Sequence, residues 1–346
     1  MIFRPSLLIL SLLAGHALLA QYNGPESVEY DPVGDRYLVS NTGSGAIKVR
    51  DQSGTVTDLV TVSPAPYGLE IIGDTVFACS GGGIKGYSIT DGTLVFNHSV
   101  GGTFLNGITT DGTFLYTTDF SAGRIYKVDV AQDSHTTLVA STGGSPNGIV
   151  WDPVGERLVV VFWGSNAAIR AYDRNTGAAT TLVAGTGLTN IDGVTIDCLG
   201  NFLVASWSPD RITRYDPTFT QPAVDLGVTG LNNPADIDFD TVNGRVCIPN
   251  SGNNTVTLFE VNCTTGIPED LRDKTRSIVP NPARDLVRIE PALAANTPYV
   301  VMDVNGRLVG SGTLSPNALL DVRTLETGTY TVVLTGTGTR LRLVKE

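Results

Sequence analysis

The chain has 346 residues, 41% of them hydrophobic, which supplies a core for two or three domains and rules out disorder as its main state. Charged residues make up only 16% and glycine is abundant at 39, a balance that favours strands and tight turns over helices. Acidic residues outnumber basic ones 34 to 23, so the net charge of −11 argues against a nucleic-acid partner, and three histidines are too few for a His-rich zinc site.

Residues 1–20 (MIFRPSLLILSLLAGHALLA) place one Arg before an apolar run that ends in small residues at Ala20. That order predicts a secretory signal peptide, shorter than a membrane span and followed by Gln21, not a lipid-accepting Cys. No later stretch has the length or apolarity of a span. Export puts Cys79, Cys198, Cys247 and Cys263 in an oxidising compartment, where their spacing leaves both disulfides and buried free thiols open.

From Glu26 onward one pattern recurs six times: a short motif opening an alternating strand, an Asp-led turn, then a strand rich in Val and Leu. The motifs begin at Glu26, Tyr67, Asn106, Asn147, Asp192 and Ala235, spaced 41, 39, 41, 45 and 43 residues apart. Third strands follow at 46–51, 124–129, 168–173, 211–216 and 255–260, and a fourth often comes next, as at 135–141. Four short strands every forty residues or so is the period of a propeller blade, and a lone hairpin of this kind could not bury its faces. The prediction is an all-β chain with a six-bladed β-propeller over 21–263. Blade six shows three strands and no evident fourth.

After Cys263 the composition changes. Residues 264–277 read as a polar linker, and 278–346 as a small β-sandwich with a hairpin at Asn305-Gly306, since Asn-Gly supplies the turn's positive φ angles. Residues 21–263 carry 25 acidic and 12 basic side chains, whereas 264–346 carry 9 and 10. Pro280-Asn281-Pro282-Ala283, Asp303-Val304-Asn305-Gly306, Gly328-Thr329-Tyr330 and the closing Arg342-Leu343-Val344-Lys345-Glu346 stand in the order seen in type IX secretion C-terminal sorting domains, which this tail resembles. The resemblance implies engagement of that machinery and passage across the outer membrane of a Gram-negative bacterium, to the surface or beyond.

Two positions of the repeat behave oppositely. Five residues past the motif start the chain reads Asp31, Ile72, Asp111, Asp152, Asp197 and Asp240; a residue so uniform serves what all blades share, the first turn, where Asp bonds its own backbone. The motif start itself varies, yet Glu26, Asn106, Asn147 and Asp192 all carry a side-chain oxygen. First strands lie nearest a propeller's axis, so these four converge on one mouth of the channel. Two carboxylates and two amides suit a hard divalent cation, Ca²⁺ best, with Mg²⁺, Mn²⁺ or Zn²⁺ as alternatives. Asn-Gly and Asp-Gly are also ordinary turn dipeptides, so turn chemistry is the competing explanation. Second strands return to the same mouth, and their ends nominate Asn41, Asp119, Trp163, Trp207 and Asn250 as pocket residues, the tryptophans as stacking surfaces.

With Glu26 ahead of Val28 and Tyr30-Asp31, Asn106-Gly107, Asn147-Gly148-Ile149-Val150-Trp151, and Asp192-Gly193 leading to Asp197, Gly200-Asn201 and Ala205, the propeller resembles the gluconolactonase, senescence marker protein and luciferin-regenerating enzyme family. The resemblance spans nearly all of 24–261. It implies that Glu26, Asn147 and Asp192 ligate the metal and that Asn106 contacts metal or substrate. Sugar-lactone members carry an Arg two residues before the Asn of blade three, where this chain has Phe104. The expected function is a secreted metal-dependent hydrolase of a lactone or related ester, with Asp192, or a water it orients, as general base. The alternative is a non-catalytic exported propeller that binds a glycan or protein at the cell surface, with a protein-recognition surface over a vestigial pocket as a third. His98 and His135 fall in outer strands, facing solvent, which leaves no place for a histidine-based mechanism.

Overall fold

The computed structural model describes residues 21–263, 276–293, 296–304, 306–316, 319–334 and 339–346. The expected signal peptide, the expected linker up to 275 and Asn305 lie outside the described residues. The described residues are strands and turns without a helix, so none forms a helix able to cross a membrane. Two compact units divide the chain at Cys263/Thr264.

The first unit holds six antiparallel sheets in sequence order, five of four strands and a sixth of three, Asp238–Asp240, Arg245–Asn250 and Thr255–Glu260. Its core shows why the repeats fold this way. Second strands are buried on both faces, and alternate residues serve opposite neighbours. Tyr37 and Val39 pack with Cys247 of blade six, while Leu38 between them packs with Leu69 and Val76 of blade two. The described residues of this unit form six apolar clusters, each joining two adjacent blades, so the last blade meets the first.

Blade six has no fourth strand among the described residues, and three devices fasten it instead. Tyr22 is buried in the apolar cluster that joins blades one and six, against which Val56, Val256 and Leu258 also pack. The Tyr37 hydroxyl donates to Asp240 Oδ2 at 2.6 Å across the same seam. A disulfide joins Cys198 in blade five to Cys263 at the exit of blade six, while Cys79 and Cys247 are free and buried. The pairing left open by the sequence is therefore one bridge and two thiols.

The second unit is a sandwich of a three-stranded sheet (Ser277–Val279, Leu286–Glu290, Leu320–Asp321) and a four-stranded sheet ordered Leu308–Leu314, Thr297–Met302, Gly328–Leu334, Thr339–Lys345. Val287, Val301, Leu320 and Val332 fill the space between them. The hairpin expected near Gly306 is present: Gly306 has φ +73° and its N–H donates to Asp303 O.

Candidate functional site

The motif-start residues lie inside the inner strands, not in turns. Asn106, Asn147 and Asp192 sit within Leu105–Thr110, Ser145–Asp152 and Thr189–Ile196, and Glu26 within Pro25–Asp31. Turn chemistry does not place them. In the first, second, fourth and fifth blades the pairing of first and second strands slips between the residue before the motif and the second after it: Pro25/Val28, Pro66/Leu69, Pro146/Ile149 and Ile191/Val194. In blade three the slip lies opposite Asn106, between Thr117 and Asp119. A bulge of this kind re-aims the side chain it carries.

The glycine after each motif residue has a packing cause. A Cβ on Gly107 would lie 2.5 Å from Asn147 O, one on Gly148 2.6 Å from Asp192 O, and one on Gly193 2.6 Å from Ala235 O. Each inner strand thus presses on its neighbour's backbone at the site residue, and only glycine fits. Where the ring closes, Ser27 and Asp236 hold this position, and Ser27 Oγ donates to Asp236 Oδ2 at 3.0 Å.

Asn106, Asn147 and Asp192 are buried and Glu26 is partly buried. Asn147 Nδ2 donates to Asp192 Oδ1 at 2.8 Å. The side-chain oxygens (Oδ1) of Asn106 and Asn147 have no hydrogen-bond partner, an uncommon condition for buried polar atoms. Burial pushes the Glu26 carboxyl up to about 7 and Asp192 well above its usual range, the latter raised further by Glu26 and Asp236. Two crowded carboxylates and two orphan carbonyl oxygens make a donor set that fits a hard dication, which would neutralise the first pair and satisfy the second. Among the described residues no three His, Cys, Asp or Glu side chains gather as a metal cluster, so a cation here would rest on this mixed set.

Below this ring lies a second acidic layer. Glu29, Glu70 and Asp238, each three residues past a motif start, join Asp236, Thr109 and Thr195 around a cavity of about 50 Å³. Burial raises Glu70 and Asp236 to about 8 and Asp238 to about 6; the Asp238 charge adds to Glu70, Glu26 and Asp238 add to Asp236, and Asp240 adds to Asp238. Reading the repeats at offset three (Glu29, Glu70, Thr109, Val150, Thr195, Asp238) would have shown this layer in advance.

The second-strand ends divide into two kinds. Asn41, Asp119 and Asn250 are fully buried and bonded to backbone: Asn41 Oδ1 accepts Asn23 N–H, Asp119 accepts Thr103, Phe104 and Ala122 N–H, and Asn250 Oδ1 accepts Asn232 N–H. They brace the mouth's loops, whereas Trp163 and Trp207 are only partly buried and touch at 4.8 Å between ring centroids. His98 and His135 occupy outer strands as expected, but they are stitched together: His98 Nε2 lies 2.9 Å from His135 Nδ1, and His98 Nδ1 2.7 Å from Asp133 Oδ1. Of the two, His135 is exposed and His98 partly buried.

Residues 35–228 match the family described as SMP-30/Gluconolactonase/LRE-like region, and residues 277–345 match the secretion system C-terminal sorting domain. No curated protein matches the chain. Among solved structures, a gluconolactonase-family protein is similar over 72% of this chain and 95% of its own, at 18% identity and TM-score 0.56. Staphylococcus aureus virginiamycin B lyase is similar over 71% and 87%, at 16% identity and TM-score 0.52. A chain of a nidogen/laminin complex is similar over 65% and 93%, at 19% identity and TM-score 0.53. At such identities these likenesses concern the propeller fold alone.

Proposed function

Because the chain belongs to the SMP-30/gluconolactonase/LRE-like family, we propose that its propeller is a divalent-metal-dependent hydrolase of a lactone or related ester. The sorting domain marks the protein for type IX export to the cell surface or beyond. What carries the reading is the pair of buried, partnerless side-chain oxygens (Oδ1) of Asn106 and Asn147, next to Glu26, which burial raises, and Asp192, which burial and the Glu26 and Asp236 charges raise.

Glu26, Asn106, Asn147 and Asp192 would hold the cation, Ca²⁺ by the hardness of an all-oxygen set. When bound, such an ion polarises a substrate carbonyl and acidifies a coordinated water. Asn147 orients Asp192 by donating to Oδ1, and Asp192, or a water it orients, would serve as general base. Among the described residues both histidines, His98 and His135, lie in outer strands and not beside this set.

Calorimetry of the chelated protein with Ca²⁺, Mg²⁺, Mn²⁺ and Zn²⁺ should find one site whose heat vanishes in Asp192→Ala. A pH-stat panel of lactones and esters, run with the same variant, then reads the chemistry. Cation binding without turnover on any ester would turn the reading to an exported binding propeller. No cation binding would remove the metal site.

A further inference from the structure

Five aromatic side chains stand edge to face along the channel mouth. Tyr67 meets Phe104 at 4.7 Å between centroids, Phe104 meets Phe120 at 5.6 Å, Phe120 meets Trp163 at 6.0 Å, and Trp163 meets Trp207 at 4.8 Å. Interplanar angles of 67–83° make all four contacts edge-to-face. The rings come from blades two, three, four and five, so the arc follows the rim across four blades.

Both ends of the arc reach the proposed metal ligands. Tyr67 holds the motif-start position of blade two, and its hydroxyl feels the Glu26 charge; Trp207 lies beside the Asp192 carboxylate. All five rings are partly buried. The arc is also held rigid. Asp119 accepts the Thr103, Phe104 and Ala122 amides, and Phe120 N–H donates to Phe104 O at 2.9 Å.

The chemistry of the wall selects its occupant. Its polar side-chain atoms are the Tyr67 hydroxyl and the two indole N–H groups, of which that of Trp207 is buried. The five residues include no cationic side chain for a carboxylate or phosphate, and the carboxyl groups beside them are those of Asp119, Glu26 and Asp192. A polyhydroxylated ring would lose hydration against such a wall without replacement hydrogen bonds, whereas a flat apolar group gains area and edge-to-face contacts.

We infer that the arc of Tyr67, Phe104, Phe120, Trp163 and Trp207 is a specificity subsite for an uncharged, flat apolar group, so that the substrate is an aryl-bearing or similarly apolar lactone or ester and not a sugar-acid derivative. The inference rests on the proposed hydrolase site for the word substrate; the apolar subsite itself stands without a cation.

The test uses two probes on the full chain, in calcium and in chelator. The first is N-phenyl-1-naphthylamine, a neutral fluorophore that accepts energy from Trp163 and Trp207 and needs no metal. The second is a matched pair, an aryl-substituted γ-lactone and glucono-δ-lactone, followed by calorimetry. The naphthylamine should bind in both conditions and quench tryptophan emission. Phe120→Leu and Trp163→Leu, which keep apolar volume but lose a ring, should each weaken it about tenfold while leaving calcium affinity within twofold. The aryl lactone should bind at least tenfold more tightly than the sugar lactone. If calcium fails to bind while the naphthylamine behaves as described, the subsite stands and the metal reading falls. Naphthylamine binding that is absent, or unchanged in both folded variants, overturns the subsite, as does equal or tighter binding of the sugar lactone.

Discussion

Two rings of polar residues run round this propeller, five residues apart in each repeat, and they are built to opposite ends. At the turn ring, Asp31, Asp111, Asp152, Asp197 and Asp240 each accept two backbone amides from their own turn. Side-chain donors fill the remaining oxygens: Arg36 and Arg157 for Asp31 and Asp152, Tyr116 and Arg174 for Asp111, Asn201 for Asp197, Tyr37 for Asp240. The motif-start ring has residues that differ by blade, two orphan carbonyl oxygens and two crowded carboxylates. One ring is satisfied by the chain itself. The other keeps two buried side-chain oxygens without a partner, a condition that in native folds marks stored strain, a functional group or a bound water or ion.

Of the turn aspartates, Asp240 should cost most to lose. It is fully buried and accepts from Val242 N, Asn243 N, Asn243 Nδ2 and the Tyr37 hydroxyl. Asp240→Ala strands these donors at the seam of blades one and six and should cost about 3 kcal/mol or more, a melting temperature lower by roughly 10 °C. Calcium affinity by calorimetry should stay within twofold. A variant that melts normally but no longer binds calcium would mean the rings had been assigned the wrong way round.

At the other ring the signs invert. Asp192→Asn keeps an acceptor for Asn147 Nδ2 but removes a buried charge held near Glu26 and Asp236. In chelator at pH 8 the variant should melt above the wild type by a few degrees. With calcium at a hundred times its dissociation constant, the wild type should gain about 2.7 kcal/mol, several degrees in a thermal scan, and the variant nothing. A variant less stable than wild type in chelator would show that Asp192 is a structural ion.

The inner layer adds a pH dependence that the turn ring cannot produce. Glu70 titrates at about 8 and Asp238 at about 6 in the folded chain, both raised by burial above the 4.5 and 3.8 ordinary for their types. Below those ordinary values folded and unfolded chains are both protonated. As pH rises the unfolded chain ionises first and is favoured, until the folded groups ionise as well. The calcium-free protein should therefore lose about 5 °C of melting temperature between pH 5 and pH 8, with Glu70→Gln flattening the slope. A melting temperature that rises over this interval in chelator would rule out the crowded acidic channel.

How much of this was readable depends on what the repeats hold constant. The blade period and the turn aspartates were legible because six copies repeat one solution, and the motif-start ring because aligning the copies exposes where they differ. The acidic layer was missed because Glu29, Glu70 and Asp238 look like ordinary polar residues of alternating strands until offset three is aligned. Asn106-Gly107 and Asp192-Gly193 carry a turn signal locally, yet tertiary contact wins: the neighbouring blade's carbonyl lies where a Cβ would be, and a bulge supplies the geometry a turn would have. Asn41, Asp119 and Asn250 stand at the expected strand ends, but nothing in their spacing says that their side chains fold back onto backbone amides. The Cys198–Cys263 bridge joins residues 65 apart, a pairing that depends on which loops meet at the rim of blades five and six.

The smallest expected effect is the most discriminating, because it isolates one orphan atom. Asn106 is buried, its Oδ1 has no partner, and the slip between Thr117 and Asp119 opposite it fixes its direction. Leucine has nearly the same shape and nothing to satisfy. If Oδ1 is simply an unpaired carbonyl, Asn106→Leu should stabilise the chelated protein by about 1 kcal/mol, since a buried acceptor without a donor costs more than an apolar isostere. If the oxygen also ligates calcium, the same substitution should weaken calcium binding about tenfold, so the variant melts above wild type in chelator and below it in saturating calcium. That crossing of the two melting curves is the expected outcome. Parallel curves in both conditions would remove Asn106 from the metal site and leave Glu26, Asn147 and Asp192 to hold the ion.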